Sequence, residues 1–196
     1  MNTKLRIVSG MMDENHIAII LKHLKETKNI PGDVVELGCN VGTTSIYIQS
    51  KLLKSKKRFY VYDSFEGLPE KSKNDNSKSK GVNFKKGGCP STVNQFINHF
   101  NEFDLPLPRI HIGWFKDQDY PDKISFAFFD GDFYTSIMDS WEKVYPLLSP
   151  GAKVCIHDYL WPPLPGVEKA CTEFLSDKPE AGTIVFENYI GVFTKL

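Results

Sequence analysis

Hydrophobic positions along this chain recur in two rhythms, one helical and one extended. Ile17, Ile20, Leu21 and Leu24 recur at helical spacing with Asp13 placed as an N-cap, so a helix is expected over residues 13–28. Pro31-Gly32 breaks it. Val34-Val-Glu-Leu37 then reads as a short buried strand that runs into Gly38-Cys-Asn-Val-Gly42. Thr43-Thr-Ser45 opens a second helix reaching about Leu53, and Arg58-Phe-Tyr-Val-Tyr62 is a strand that ends at Asp63. Strand, glycine loop, helix, strand and acid make a βαβ nucleotide-binding half.

Residues 70–88 change character: the stretch is polar, rich in lysine and almost without apolar side chains, and is expected to be a mobile loop. Beyond it, Pro90-Ser-Thr92 starts a helix carrying Val93, Phe96, Ile97 and Phe100 on one face, and Arg109-Ile-His-Ile112 is a strand. Ser125-Phe-Ala-Phe-Phe129 is an apolar strand that stops at Asp130, followed by a helix with Ile137, Met138, Trp141, Val144 and Tyr145 inward. Pro150-Gly151 is expected to turn the chain into a strand that stops at His157-Asp158. Pro162-Pro163-Leu-Pro165 leads into a helix with Val167, Ala170, Cys171, Phe174 and Leu175 inward. Two runs, 182–186 and 190–193, flank a tight Glu187-Asn-Tyr turn, so that pair must be antiparallel. The expected fold is α/β: one domain over residues 1–196, with an N-terminal helix region (1–30) and a mostly parallel sheet carrying one reversed edge strand.

Composition narrows the field. A chain of 196 residues with 41% hydrophobic content is long enough for one domain with a sizeable core. Its 24 basic and 24 acidic side chains cancel, leaving no bulk field for nucleic acid or an anionic membrane. Cys39, Cys89, Cys155 and Cys171 form no C-x-x-C pair and read as reduced thiols. With neither a leader nor a membrane-length apolar run in the sequence, a cytoplasmic protein is expected.

The chemistry gathers at strand ends. Ligands of open parallel sheets sit beyond the carboxyl ends of the strands, so Asp130, His157 and Asp158 are expected to converge there as metal ligands, as a base, or both. Acids at strand ends often cap the following helix. Asp132 could do so here, which leaves Asp130 surplus. In the glycine loop, Asn40 and Thr43 stand where a nicotinamide G-x-G-x-x-G fingerprint needs glycines, so the pattern fits the looser E/D-x-G-x-x-x-G of adenosylmethionine enzymes. Gly38 permits a tight turn and Gly42 a close pass beneath a ligand. Glu36 and Asp63 are candidates for the amino-acid and ribose ends of a nucleoside ligand, and Trp114 for stacking on its adenine. A nicotinamide-dependent oxidoreductase and a non-catalytic adenosylmethionine-binding protein are the competing readings.

The strings Gly32-Asp-Val-Val-Glu-Leu-Gly38, Asp63-Ser-Phe-Glu-Gly-Leu-Pro69 and Gly113-Trp-Phe-Lys-Asp117 occur in order. Asp130-Gly-Asp-Phe-Tyr-Thr-Ser136, Tyr145-Pro-Leu-Leu-Ser-Pro-Gly151 and His157-Asp-Tyr159 follow them. Over residues 30–175 the chain resembles the macrocin and mycinamicin type of sugar O-methyltransferase. The resemblance implies a class I methyltransferase fold, with a seven-stranded sheet ending in an antiparallel hairpin. It also implies S-adenosylmethionine as donor and a divalent metal, usually magnesium, that chelates two sugar hydroxyls. Glu36, Gly38, Asn40, Thr43, Asp63, Ser64, Phe65, Trp114 and Asp130 are then the expected cofactor-binding residues. Asp130, His157 and Asp158 are the expected catalytic and metal-binding residues. His157 departs from the family by standing where an acid is usual. The N-terminus is also shorter than in the antibiotic-pathway enzymes. The expected partner is a small-molecule sugar or glycoside, a surface or capsular sugar included; neither nucleic acid nor membrane is expected, and a homo-oligomer is admitted.

Overall fold

Val34 and Val35 point to opposite faces of one strand, and that alternation gives the sheet two cores. In the computed structural model, which describes residues 5–79 and 84–196, the elements follow in order. They are α1 (Glu14–Glu26), β1 (Asp33–Leu37), α2 (Thr43–Leu52), β2 (Phe59–Asp63), α3 (Val93–Glu102) and β3 (Arg109–Ile112). Then come β4 (Ile124–Phe129), α4 (Tyr134–Val144), β5 (Leu148–Ile156), α5 (Pro165–Leu175), β6 (Val185–Glu187) and β7 (Ile190–Thr194). Val35, Tyr62, Phe129 and Val154 pack beneath Ile137 and Trp141 of α4 and Val167 and Leu175 of α5. On the other face Val34, Val61, Phe128 and Cys155 meet Ile20 of α1, Ile46 of α2 and Phe96 and Phe100 of α3. β1 and β4 are buried along their whole length and are mostly apolar, with Asp33, Glu36 and Ser125 as buried polar exceptions.

The sheet order is β3-β2-β1-β4-β5-β7-β6. β2, β1, β4 and β5 pair in parallel, whereas β7 runs antiparallel to both β5 and β6. The reversed strand expected at the edge therefore lies one place inside it, and β6 forms the edge. Asn188 and Tyr189, both at positive φ, make the two-residue turn between β6 and β7. β5 begins at Leu148, so Pro150-Gly151 lies within the strand, opposite the register shift in β4 between Ile124 and Phe126.

The caps explain where helices start. Asp13 accepts from the His16 N–H at 2.8 Å, and Thr92 forms a capping box with Gln95. α4 differs from expectation, because no side chain caps it from its own N-terminus. Asp75 does so from the polar segment: its Oδ1 accepts the Tyr134 N–H at 2.7 Å, while Oδ2 takes the Ser72 N–H and hydroxyl. Asp75 is only 1% exposed, and the Ser77 hydroxyl donates to the Pro162 carbonyl at 2.8 Å. Part of the segment read as a mobile loop is thus fastened to α4 and to the α5 entry. Residues 80–83 of that reading lie outside the described residues. Among the described residues, no helix is long and apolar enough to cross a membrane.

Candidate active site

β1, β2, β4 and β5 end together, and a cavity of about 480 Å³ opens at their carboxyl ends. That volume suits a nucleoside-sized ligand with part of a second molecule. Its floor is Gly38, Asn40, Asp63 and Asp130 through Asp132, with His157 and Asp158 beside them. Trp114, Phe115, Phe84 and Trp161 supply aromatic walls.

On the β1–β2 side, backbone makes the shape. Gly38 has φ +88°, and a Cβ there would lie 2.0 Å from the Asp130 carbonyl oxygen, so only glycine lets β1 end against β4. Gly42 does not line the cavity; its missing Cβ faces the Phe96 ring of α3 at 3.0 Å, so packing against that ring is what requires glycine there. Asp63 Oδ2 accepts the Cys39 and Asn40 N–H groups at 2.9 and 2.8 Å, and Oδ1 accepts that of Phe65 at 2.8 Å. Burial nonetheless pushes its carboxyl up against those three donors.

Not every expected residue reaches the cavity. Asn40, Ser64 and Trp114 line it with Gly38 and Asp63. Glu36 is 1% exposed under the glycine loop and accepts the Ser45 hydroxyl at 2.6 Å. Burial drives its carboxyl well above the ordinary range despite that bond, with Asp130 and Asp63 adding to the effect. Thr43 is buried at the start of α2 with an unpartnered hydroxyl, and Phe65 packs edge-on to Phe96.

On the β4–β5 side the three expected residues meet. His157 Nδ1 lies 2.9 Å from Asp130 Oδ1 and 3.3 Å from Asp158 Oδ2, and one donor atom from each residue falls within 4.8 Å of the others. Burial opposes charge on His157, but the two carboxylates outweigh it and hold the imidazole well above its usual value. Three converging donors suit a divalent cation, although the nitrogen is foreign to magnesium, which prefers oxygen.

Two site residues escaped the sequence. His16 of α1 places Nδ1 at 3.2 Å from His157 Nε2, across 141 residues of chain. Burial, then the His157 charge, pushes His16 down from its ordinary value. No spacing signals it, because a lone histidine on a helix carries no pattern. Asp132 was expected to cap α4, and instead lines the cavity at positive φ. Burial, then Asp130 and Asp158, pushes its carboxyl well above the ordinary range.

Strand order and site together define a class I methyltransferase fold. A dinucleotide-binding sheet runs 3-2-1-4-5-6, without the reversed strand that β7 inserts here. Residues 10–193 match the family described as macrocin O-methyltransferase (TylF), and the chain belongs to that family. It is 32% identical over 141 residues to the 8-demethyl-8-(2,3-dimethoxy-alpha-L-rhamnosyl)-tetracenomycin-C 4'-O-methyltransferase of Streptomyces olivaceus, covering 66% of this chain and 54% of that one. It is 29% identical over 159 residues to mycinamicin III 3''-O-methyltransferase of Micromonospora griseorubida, covering 72% and 62%. The chain thus spans about half to three-fifths of the length of these curated relatives. The solved O-methyltransferase NovP superposes with a TM-score of 0.81 at 22% identity, over 94% of this chain and 81% of that one.

Proposed function

We propose that this protein transfers a methyl group from S-adenosylmethionine to a hydroxyl of a sugar carried by a small glycosylated acceptor. The observation that carries the reading is one cavity with two chemically different ends: Asp63 and the glycine loop at one, Asp130, Asp132 and Asp158 at the other. Relatives named for methylating rhamnosyl-tetracenomycin and mycinamicin support the acceptor class.

Asp63 Oδ2 is filled by the Cys39 and Asn40 N–H groups, whereas Oδ1 accepts only that of Phe65 and keeps a lone pair for a ribose hydroxyl. Trp114, 36% exposed, offers an indole face to the adenine. The sulfonium methyl then points toward the β4–β5 end. The acceptor oxygen attacks that carbon, the C–S bond breaks, its electron pair stays on sulfur, and adenosylhomocysteine leaves. The hydroxyl proton must go to a base. Among the described residues no hydrogen bond holds the Asp132 carboxylate, and its raised pKa brings it nearer that of the proton it would take, so we assign it the role. A divalent cation held by Asp130, His157 and Asp158 would lower the pKa of a bound hydroxyl. Phe84 and Trp161, packed edge-to-face at 5.9 Å, border the acceptor end and shield it from water.

The test is turnover of methyl-labelled adenosylmethionine with a panel of glycosides and nucleotide sugars. Labelled sugar ether is the expected product. Donor binding without turnover on any sugar would support a non-catalytic adenosylmethionine-binding protein instead.

A further inference from the structure

The nitrogen in the donor cluster is backed by a second imidazole, and that pairing has a direction. His157 Nε2 and His16 Nδ1 are 3.2 Å apart, so one must donate and the other accept. His16 Nε2 lies 3.7 Å from Asp13 Oδ2, too far for a hydrogen bond, but the field of that carboxylate favours the hydrogen of a neutral His16 on its side. His16 Nδ1 is then the acceptor and His157 Nε2 the donor. His157 is 7% exposed, so the ring cannot trade this partner for water. Its other nitrogen, Nδ1, faces Asp130 Oδ1 and Asp158 Oδ2. It donates its hydrogen to Asp130 while no cation is bound and would give that hydrogen up to present a lone pair to a cation.

We propose that His16 is a positioning residue that locks His157 in the tautomer offering Nδ1 to a cation, giving a one-nitrogen, two-carboxylate site that selects a divalent transition ion over magnesium. The proposal rests on the cation site assigned above and adds the ion class and the role of His16. Magnesium takes oxygen ligands and holds its waters, whereas imidazole suits cobalt, nickel and zinc. An outer partner that fixes ring orientation and tautomer is a general requirement of histidine ligands, and its removal typically weakens metal binding by about 10–100-fold. Asp13, which caps α1 through the His16 backbone N–H, keeps its carboxylate beside the His16 ring, so the start of a helix sets which ring nitrogen favours the hydrogen.

The test is a titration of the full chain, saturated with adenosylhomocysteine, by Co2+ followed through its visible absorption. Mg2+ affinity is read by competition. The wild type is expected to favour Co2+ over Mg2+ more than His157→Asp does, by more than about tenfold. His16→Phe should weaken Co2+ by about 10–100-fold, and His16→Gln, which keeps an acceptor, should restore most of it. Unchanged adenosylhomocysteine affinity certifies the fold of each variant. Equal ion preference in wild type and His157→Asp overturns the selectivity while leaving a cation site in place. Equal Co2+ affinity in His16→Phe and the wild type overturns the positioning role. Turnover of wild type that binds neither ion at millimolar concentration overturns the cation site itself.

Discussion

The two ends of the cavity are built differently. The β1–β2 end is local: Gly38, Asn40, Asp63 and Ser64 lie within about thirty residues, and backbone N–H groups fasten the Asp63 carboxylate. The β4–β5 end is assembled from afar: Asp130 and Asp132 follow β4, His157 and Asp158 follow β5, and His16 arrives from α1 across 141 residues. Phe84 and Trp161 come from two further connections. A donor common to many reactions needs one stable shape, which contiguous backbone supplies. Acceptors differ, and an end made of separate elements can change one piece at a time.

Four substitutions would break or sharpen this contrast. The largest effect is expected at the seam between the ends. Gly38→Ala places a methyl group 2.0 Å from the Asp130 carbonyl at φ +88°, costing about 3–5 kcal/mol and disabling both ends, measured by urea unfolding. Next, Asp63→Ala should weaken adenosylhomocysteine by about 10–100-fold in calorimetry, through loss of charged hydrogen bonds, and leave Co2+ affinity unchanged. Asp75→Ala removes the α4 cap and the tie to Ser72. It should cost about 1–3 kcal/mol of stability and raise the acceptor KM, with donor affinity unaltered.

The smallest effect lies away from both ends. Burial works against charge on Glu180, but the Lys195 ammonium, the Leu196 N–H and the Tyr145 hydroxyl outweigh it and hold the carboxyl at about 2. A depressed carboxylate stabilises the fold above its ordinary value near 4.5, and that stabilisation is lost as pH falls toward 2. Glu180→Gln should therefore lower the melting temperature at pH 6 and flatten its fall between pH 5 and pH 2. Ligand affinities at neutral pH should not move.

The same contrast governs what could be read in the chain. Asp13 as a cap, the helical stripes, the strand-end acids and the order of elements follow from local spacing, and the structure has them. Asp130, His157 and Asp158 were legible because parallel strands aim their carboxyl ends at one crevice. Pairings between distant elements were not. A hairpin pattern says that β6 and β7 are antiparallel, yet it is silent on which of them meets β5. Glu36 carried the pattern of a ligand-binding acid, but whether Ser45 would claim it depends on how α2 packs against β1. Asp75 capping α4 and His16 reaching His157 leave no trace in spacing, since each partner lies in a different element.

The central claim is that one cavity holds a donor end and an acceptor end that can be disabled separately. Asp130→Ala tests it directly, with adenosylhomocysteine affinity by calorimetry and methyl transfer from labelled adenosylmethionine measured on the same preparation. Affinity should stay within a few-fold of the wild type while transfer disappears. Undiminished transfer in that variant would contradict the claim, and so would loss of donor binding from a protein that still melts as the wild type does.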